Sequence, residues 1–220
     1  MKKIKILKVI FDGNLKPSEV PALRGAIVEK VGRKNVLFHN HLEKGFRYKY
    51  PLIQYKTILG KPALICLDEG VDEIHKYFNK KDWDIFIGDK KLTMKIHSLS
   101  LDQFDLDVSD DLFKYRIHNW IALNQKNNQS FKRAENLVDR ILILEKALTG
   151  NIISFAKGIN WDITKKLQVK IIDQRYTNPV NLSGNTLIGF NVDYSANAFL
   201  PNHIGLGKGV SKGFGTVNRL

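Results

Sequence analysis

Lys2-Lys3-Ile4-Lys5-Ile6-Leu7-Lys8-Val9-Ile10-Phe11 interleaves apolar residues with lysines, as a strand with one dry face would, and Asp12-Gly13-Asn14 ends it. A helix is expected next, from about residue 18 to 31. Pro21 is tolerated in its first turn, Val20, Leu23, Ile27 and Val31 share one face, and Gly32 stops it. Working outward, residues 36–38 read as short and extended, 46–58 as β, 63–67 as an apolar strand, 71–78 as a short helix and 83–87 as a closing strand. The order β, α, β, β, α, β is the ferredoxin-like or split βαβ arrangement.

The second half repeats that alternation less cleanly. Residues 92–101 and 104–106 are β-like, 113–123 are mixed, and 130–149 form the clearest helix, with Leu137, Ile141, Leu144 and Leu148 as its stripe and Gly150 as its end. The pattern resumes through 152–156. A strand over 167–176, a turn at Asn178-Pro179, another strand over 186–192 and a last one at Thr216-Val217 complete it. The expected fold class is α+β, two tandem ferredoxin-like (RRM-like, βαββαβ) domains over residues 1–90 and 91–220.

The chain has 220 residues and one cysteine, Cys66, which excludes a disulfide scaffold and fits a reducing compartment. No apolar run approaches the roughly 20 residues of a membrane span, so a soluble, cytoplasmic protein without a membrane partner is expected. Net charge is +13. Residues 1–62 carry 14 Lys/Arg against 4 Asp/Glu, whereas 63–111 carry 6 against 12, so the basic charge concentrates toward the chain ends. Such a distribution is the electrostatic footprint of a nucleic-acid binder; a lysine-rich solubilising surface is the alternative.

The last sixteen residues sharpen that. Gly205-Leu206-Gly207-Lys208-Gly209-Val210-Ser211-Lys212-Gly213-Phe214-Gly215-Thr216-Val217-Asn218-Arg219-Leu220 sets five glycines among Lys208, Lys212 and Ser211, with no acid after Asp193. Glycine at that density admits positive φ and lets a ligand approach main-chain N–H groups, so the loop is an anion site. A dinucleotide fingerprint fails because positions 210 and 212 are Val and Lys; a P-loop fails because neither lysine sits in Gly-Lys-Ser/Thr after four spacers. The phosphates bound here belong to a polymer.

For chemistry, His39 and His41 stand out. On an extended segment they share one face, opposite Phe38, Asn40 and Leu42. Adjacent imidazoles can divide acid and base duties, which suits RNA cleavage: one takes the ribose 2′-OH proton, that oxygen attacks the phosphorus, and a protonated group supplies the leaving 5′ oxygen. No cofactor or metal is needed. His-x-His is also a metal-ligand spacing, but neither Cys66 nor a nearby acidic cluster completes a site, and both histidines could equally be ordinary loop residues. Tyr48, Tyr50 and Tyr55 interleave with Arg47, Lys49 and Lys56 like a base-stacking, phosphate-neutralising surface, or like an amphipathic strand. His203, two residues before Gly205, lies within reach of a ligand on the loop.

With this order of elements, this histidine pair and this terminal loop, the chain resembles the CRISPR-associated endoribonucleases that process precursor CRISPR RNA, repeat-cleaving members of the RAMP superfamily. The resemblance implies tandem ferredoxin-like domains, a glycine-rich loop holding the RNA backbone, and metal-independent catalysis by a histidine, sometimes two, near the first helix. It matches the loop at Gly205, Gly207, Gly209, Gly213, Phe214 and Gly215, places the catalytic role on His41, His39 or both, and makes CRISPR repeat RNA the partner. Lys208, Ser211 and Lys212 join the loop's RNA contacts, with Arg47, Lys49 and Tyr50 beside the histidines; Lys49 is one candidate to stabilise the phosphorane. A non-catalytic RAMP-type CRISPR RNA-binding subunit is the alternative. Association with other CRISPR effector subunits, or as a homodimer, stays open.

Overall fold

The computed structural model describes residues 1–39 and 50–220 in full and, between them, only the backbone of 41–42 and 45–46. Two compact α+β units follow one another along the chain. The first comprises Lys3–Asp105 with the segment Val210–Gly213, and the second comprises Leu106–Gly209 and Phe214–Leu220 with the first two residues.

In the first unit, β1 (Lys2–Phe11) leads through a 3₁₀ turn at Pro17–Glu19 into α1 (Val20–Val31), which ends at Gly32 with φ +96°. The two-turn helical segment expected at 71–78 is present as α3 (Glu69–Glu73) and α4 (His75–Phe78). The sheet orders β4 (Ile53–Ile58), β5 (Lys61–Leu67), β1 and β8 (Ile96–Leu106) side by side. Counting only sheet strands, that is second, third, first, fourth, the ferredoxin-like order. Leu7, Val9 and Phe11 of β1, Tyr55, Leu64 and Cys66 of the neighbouring strands, and Leu23, Ile27 and Val31 of α1 form its core.

Two expectations fail here. Residues 83–87 do not close the sheet: β6 (Ile85–Ile87) pairs only with β7 (Lys90–Leu92), and the fourth strand is β8. The first unit therefore runs past residue 90, to Asp105. Residues 36–38 are not extended but belong to a single helical turn, α2 (Val36–His39), whose Phe38 enters the core. A one-turn helix is too short to leave a period that distinguishes it from a strand.

The second unit repeats the order. β9 (Val108–Trp120) is followed by α5 (Gln125–Arg133) and α6 (Leu137–Gly158), then β10 (Val169–Leu182), β11 (Asn185–Ala198) and β12 (Thr216–Arg219), arranged β10-β11-β9-β12. Between β11 and β12, where the pattern would place a second helix, the chain runs the glycine-rich loop with only a 3₁₀ turn at Val210–Lys212.

The mixed appearance of 113–123 has a local cause. Asn119 takes φ +48°, the ladder with β11 shifts register between Phe190 and Val192, and Trp120 is thereby buried after Tyr115 and Ile117. The long helix is two. Asn136 caps α6, accepting from the Asp139 N–H at 2.8 Å, and the buried stripe is Leu144, Leu148, Ile152 and Phe155, so the helix passes through Gly150 rather than ending there. Asn178-Pro179 does not turn. β10 is an edge strand, which tolerates a proline lacking an N–H, and the hairpin closes at Ser183-Gly184 instead.

Candidate active site

Three hydrogen bonds of the first unit hold the Phe38–His39 end of α2. Arg24 lies one turn into α1, part-buried between Val20 and Val28 on the helix, and its Nη2 donates to the backbone carbonyl of His39. Tyr55, fully buried on β4, donates through its hydroxyl to the Phe38 carbonyl at 3.0 Å. His39 Nε2 donates to the Arg33 carbonyl at 2.6 Å, which fixes the ring over the turn joining α1 to α2. The segment that delivers the histidines is thus tied to the helix and to the sheet by separate bonds.

Arg24 has capacity left over. Its Nε is buried without a hydrogen-bond partner, and Arg24 makes no ion pair among the described residues. Burial lowers the guanidinium below its ordinary value, an effect partly offset by the Tyr55 hydroxyl. A buried, unpaired donor on a cation costs free energy unless something accepts from it.

The glycine loop supplies a second cation. Val210–Gly213 groups with the first unit and packs on β4 and α1; a Cβ on Gly213, whose φ is +89°, would stand 3.0 Å from Val20 Cγ1 at the start of α1. That close approach sets Lys212 near Arg24. Partial burial, with the guanidinium beside it, lowers the Lys212 ammonium from its ordinary value. Two cations gathered at one end of a helix, one of them with an unsatisfied donor, have the chemistry to hold an anion of the phosphate class.

The sequence-derived candidates distribute as follows. His39 ends a helical turn, so the extended alternation that put both histidines on one face does not run through it. His41 begins β2 (His41–Leu42), paired with β3 (Gly45–Phe46), and its side chain lies outside the described residues, as do Arg47, Tyr48 and Lys49. Tyr50 is half-buried and accepts from Gln54 Nε2 at 2.9 Å. Tyr55 and Lys56 are not a stacking surface: they are 0% and 1% exposed, and burial pulls the Lys56 ammonium down to about 7.

In the second unit, much of the loop's glycine content serves packing rather than ligand approach. A Cβ on Gly215 would lie 1.8 Å from the Leu206 carbonyl oxygen, and one on Gly207 2.8 Å from the Trp120 ring. Gly209 likewise accommodates the Phe214 ring, and Gly205 bridges Thr216. The N–H groups of Leu206, Lys208, Phe214 and Gly215 bond within the protein, whereas those of Gly207 and Gly209 have no acceptor among the described residues. Lys208 Nζ donates to the Leu123 carbonyl at 3.0 Å, while Ser211 and Lys212 lie half-buried in the 3₁₀ turn. His203 takes φ +68° and its N–H donates to the Val217 carbonyl, so it has a place in holding β12.

The family models for the Cas6b N-terminal domain and the Cas6b C-terminal domain match residues 2–105 and 107–220. The chain belongs to the Cas6b family. A solved crystal structure of a Cas6b superposes with a TM-score of 0.92 at 28% identity, and that of a CRISPR RNA processing endoribonuclease Cas6b with a TM-score of 0.76 at 26%, each covering the whole of both chains. An uncharacterized protein of Methanocaldococcus jannaschii is 37% identical over 117 residues, 53% of this chain and 78% of its own length. A type IV Cas6 crRNA endonuclease, at 12% identity and a TM-score of 0.62, shares the fold. One solved member of the family is thus a CRISPR RNA processing endoribonuclease, and both of the family's domains are present here in order.

Within that Cas6b framework, Arg24 is the residue sequence reasoning missed. It reads as one of two basic residues on α1, with Lys30, and only the return of the loop onto Val20 distinguishes it. Among the described residues no helix is long and apolar enough to cross a membrane.

Proposed function

We propose that the chain is a metal-independent endoribonuclease that cuts precursor CRISPR RNA within the repeat, by attack of a ribose 2′-OH on the adjacent phosphorus, leaving a 2′,3′-cyclic phosphate and a free 5′-hydroxyl. The observation that carries this reading is the link between Arg24 and the His39 carbonyl, with the loop's Lys212 beside the same guanidinium. His41 and His39 exchange the protons: one imidazole takes the 2′-OH proton while a protonated group gives one to the departing 5′ oxygen. Arg24 and Lys212 hold the non-bridging oxygens, whose charge grows in the phosphorane-like transition state, so their attraction is stronger there than in the ground state. The lysines and free N–H groups of the glycine loop hold neighbouring phosphates.

Product ends test this. Cleaved repeat RNA should give a 5′ fragment that resists phosphatase until acid opens its cyclic phosphate, and a 3′ fragment that accepts phosphate directly from polynucleotide kinase. Fragments ending in 3′-hydroxyl and 5′-phosphate would contradict the mechanism, and tight binding without any product would assign the chain to a binding role.

A further inference from the structure

A cavity of about 500 Å³ opens in the second unit between the N-terminal half of α5, the tip of the β10–β11 hairpin and the glycine loop, within the roughly 300–1,000 Å³ of small-ligand sites. Its floor is apolar, built from Ile121 and Leu123, both buried, with Leu187 of β11. Gln125 and Asn128 stand on one face of α5, three residues apart, and the side chain of neither makes a hydrogen bond among the described residues. Lys208 reaches the same cavity, one of its three ammonium hydrogens committed to the Leu123 carbonyl. No carboxylate lines the space.

From this arrangement we propose that the cavity receives the base of one unpaired RNA nucleotide, whose phosphate rests on Lys208 and the adjoining glycine loop. The inference builds on the RNA-processing reading above. A nucleobase offers flat apolar faces and an edge carrying both donors and acceptors; the floor meets the faces, and primary amides, which both donate and accept, meet the edge. An aliphatic ligand would leave the amides unused, and a carboxylate-rich one has only Lys208 and Lys132 to meet it. Continuity with the loop decides between a free small molecule and a polymer: Lys208 bridges to Ile121 in the cavity floor while Gly207 and Gly209 on either side of it offer unengaged N–H groups. The base seated here is one the enzyme reads, so the cavity sets part of its preference for one repeat sequence.

The test is an abasic scan. The host's repeat RNA is prepared as a set in which each nucleotide in turn keeps its sugar and phosphate but loses its base, and affinity is measured for the full chain and for Gln125→Ala/Asn128→Ala. Alanine is a better helix former than either residue, so α5 keeps its structure. One position should cost the wild type about tenfold or more in affinity, the scale of a paired amide–base hydrogen-bond contact, and that cost should disappear in the double variant while penalties elsewhere persist. Matching abasic profiles for the two proteins would overturn the inference and leave the nuclease reading standing. Failure of the wild type to bind the intact repeat would overturn both.

Discussion

The Arg24 guanidinium donates to the backbone carbonyl of His39 while its Nε stays buried and unpartnered. One side chain therefore fixes the end of α2 and keeps a buried donor uncommitted. Arg24→Ala should slow single-turnover cleavage about 10²-fold, with a smaller loss of repeat affinity. Arg24→Lys should not restore it, because an ammonium lacks the planar fork that serves two acceptors at once. Wild-type cleavage by Arg24→Ala, in the same quenched time course, would remove Arg24 from the site.

His41→Ala and His39→Ala are expected to lower the cleavage rate by about 10²–10⁴ each, and to leave equilibrium binding of uncleavable repeat RNA nearly unchanged. A drop in affinity that parallels the loss of rate would show that the histidines bind rather than catalyse. Gel-shift and cleavage assays on the same preparations separate the two.

Lys56 gives a pH signature of stability. Its ammonium is buried and titrates at about 7 instead of the ordinary 10.5. Between those values the unfolded chain binds a proton that the folded chain does not, so this residue makes stability rise with pH, by up to about 1.36 kcal/mol per pH unit. Its full cost is present below pH 7. Lys56→Met should therefore be more stable than wild type near pH 7, and the gap should close toward pH 10. Parallel denaturation curves across that range would show that Lys56 carries no such penalty.

Two glycines should respond oppositely to alanine. Gly215→Ala drives a Cβ into the Leu206 carbonyl at φ +64° and should destabilise by about 3 kcal/mol or more. Gly150→Ala, on the open face of α6 with nothing within 4 Å, should stabilise by about 0.5–1 kcal/mol. Thermal melts of both variants report the signs directly.

Periodic segments were legible without coordinates. The alternation of β1 and the stripe on α1 named both elements, and the fold class followed from their order. What was not legible depends on tertiary partners. β8 rather than residues 83–87 completes the first sheet because pairing beside β1 is decided by the sheet's edge, not by the strand's own pattern. Gly150 looked like a helix end because its open surroundings are invisible in sequence. The glycine density of the loop suggests an anion site, yet Gly207, Gly209 and Gly215 are required first by Trp120, Phe214 and Leu206. Arg24 gained its meaning only when Gly213 packed on Val20 and brought Lys212 alongside.

The central claim is that the RNA's own 2′-OH is the nucleophile and no metal takes part. Purified protein incubated with its host's repeat RNA in EDTA, beside the same RNA carrying a single 2′-deoxy at the mapped cut, tests it most directly. The account predicts undiminished cleavage in EDTA and none at the deoxy position. Cleavage that stops in EDTA, or that continues past the 2′-deoxy substitution, would contradict it.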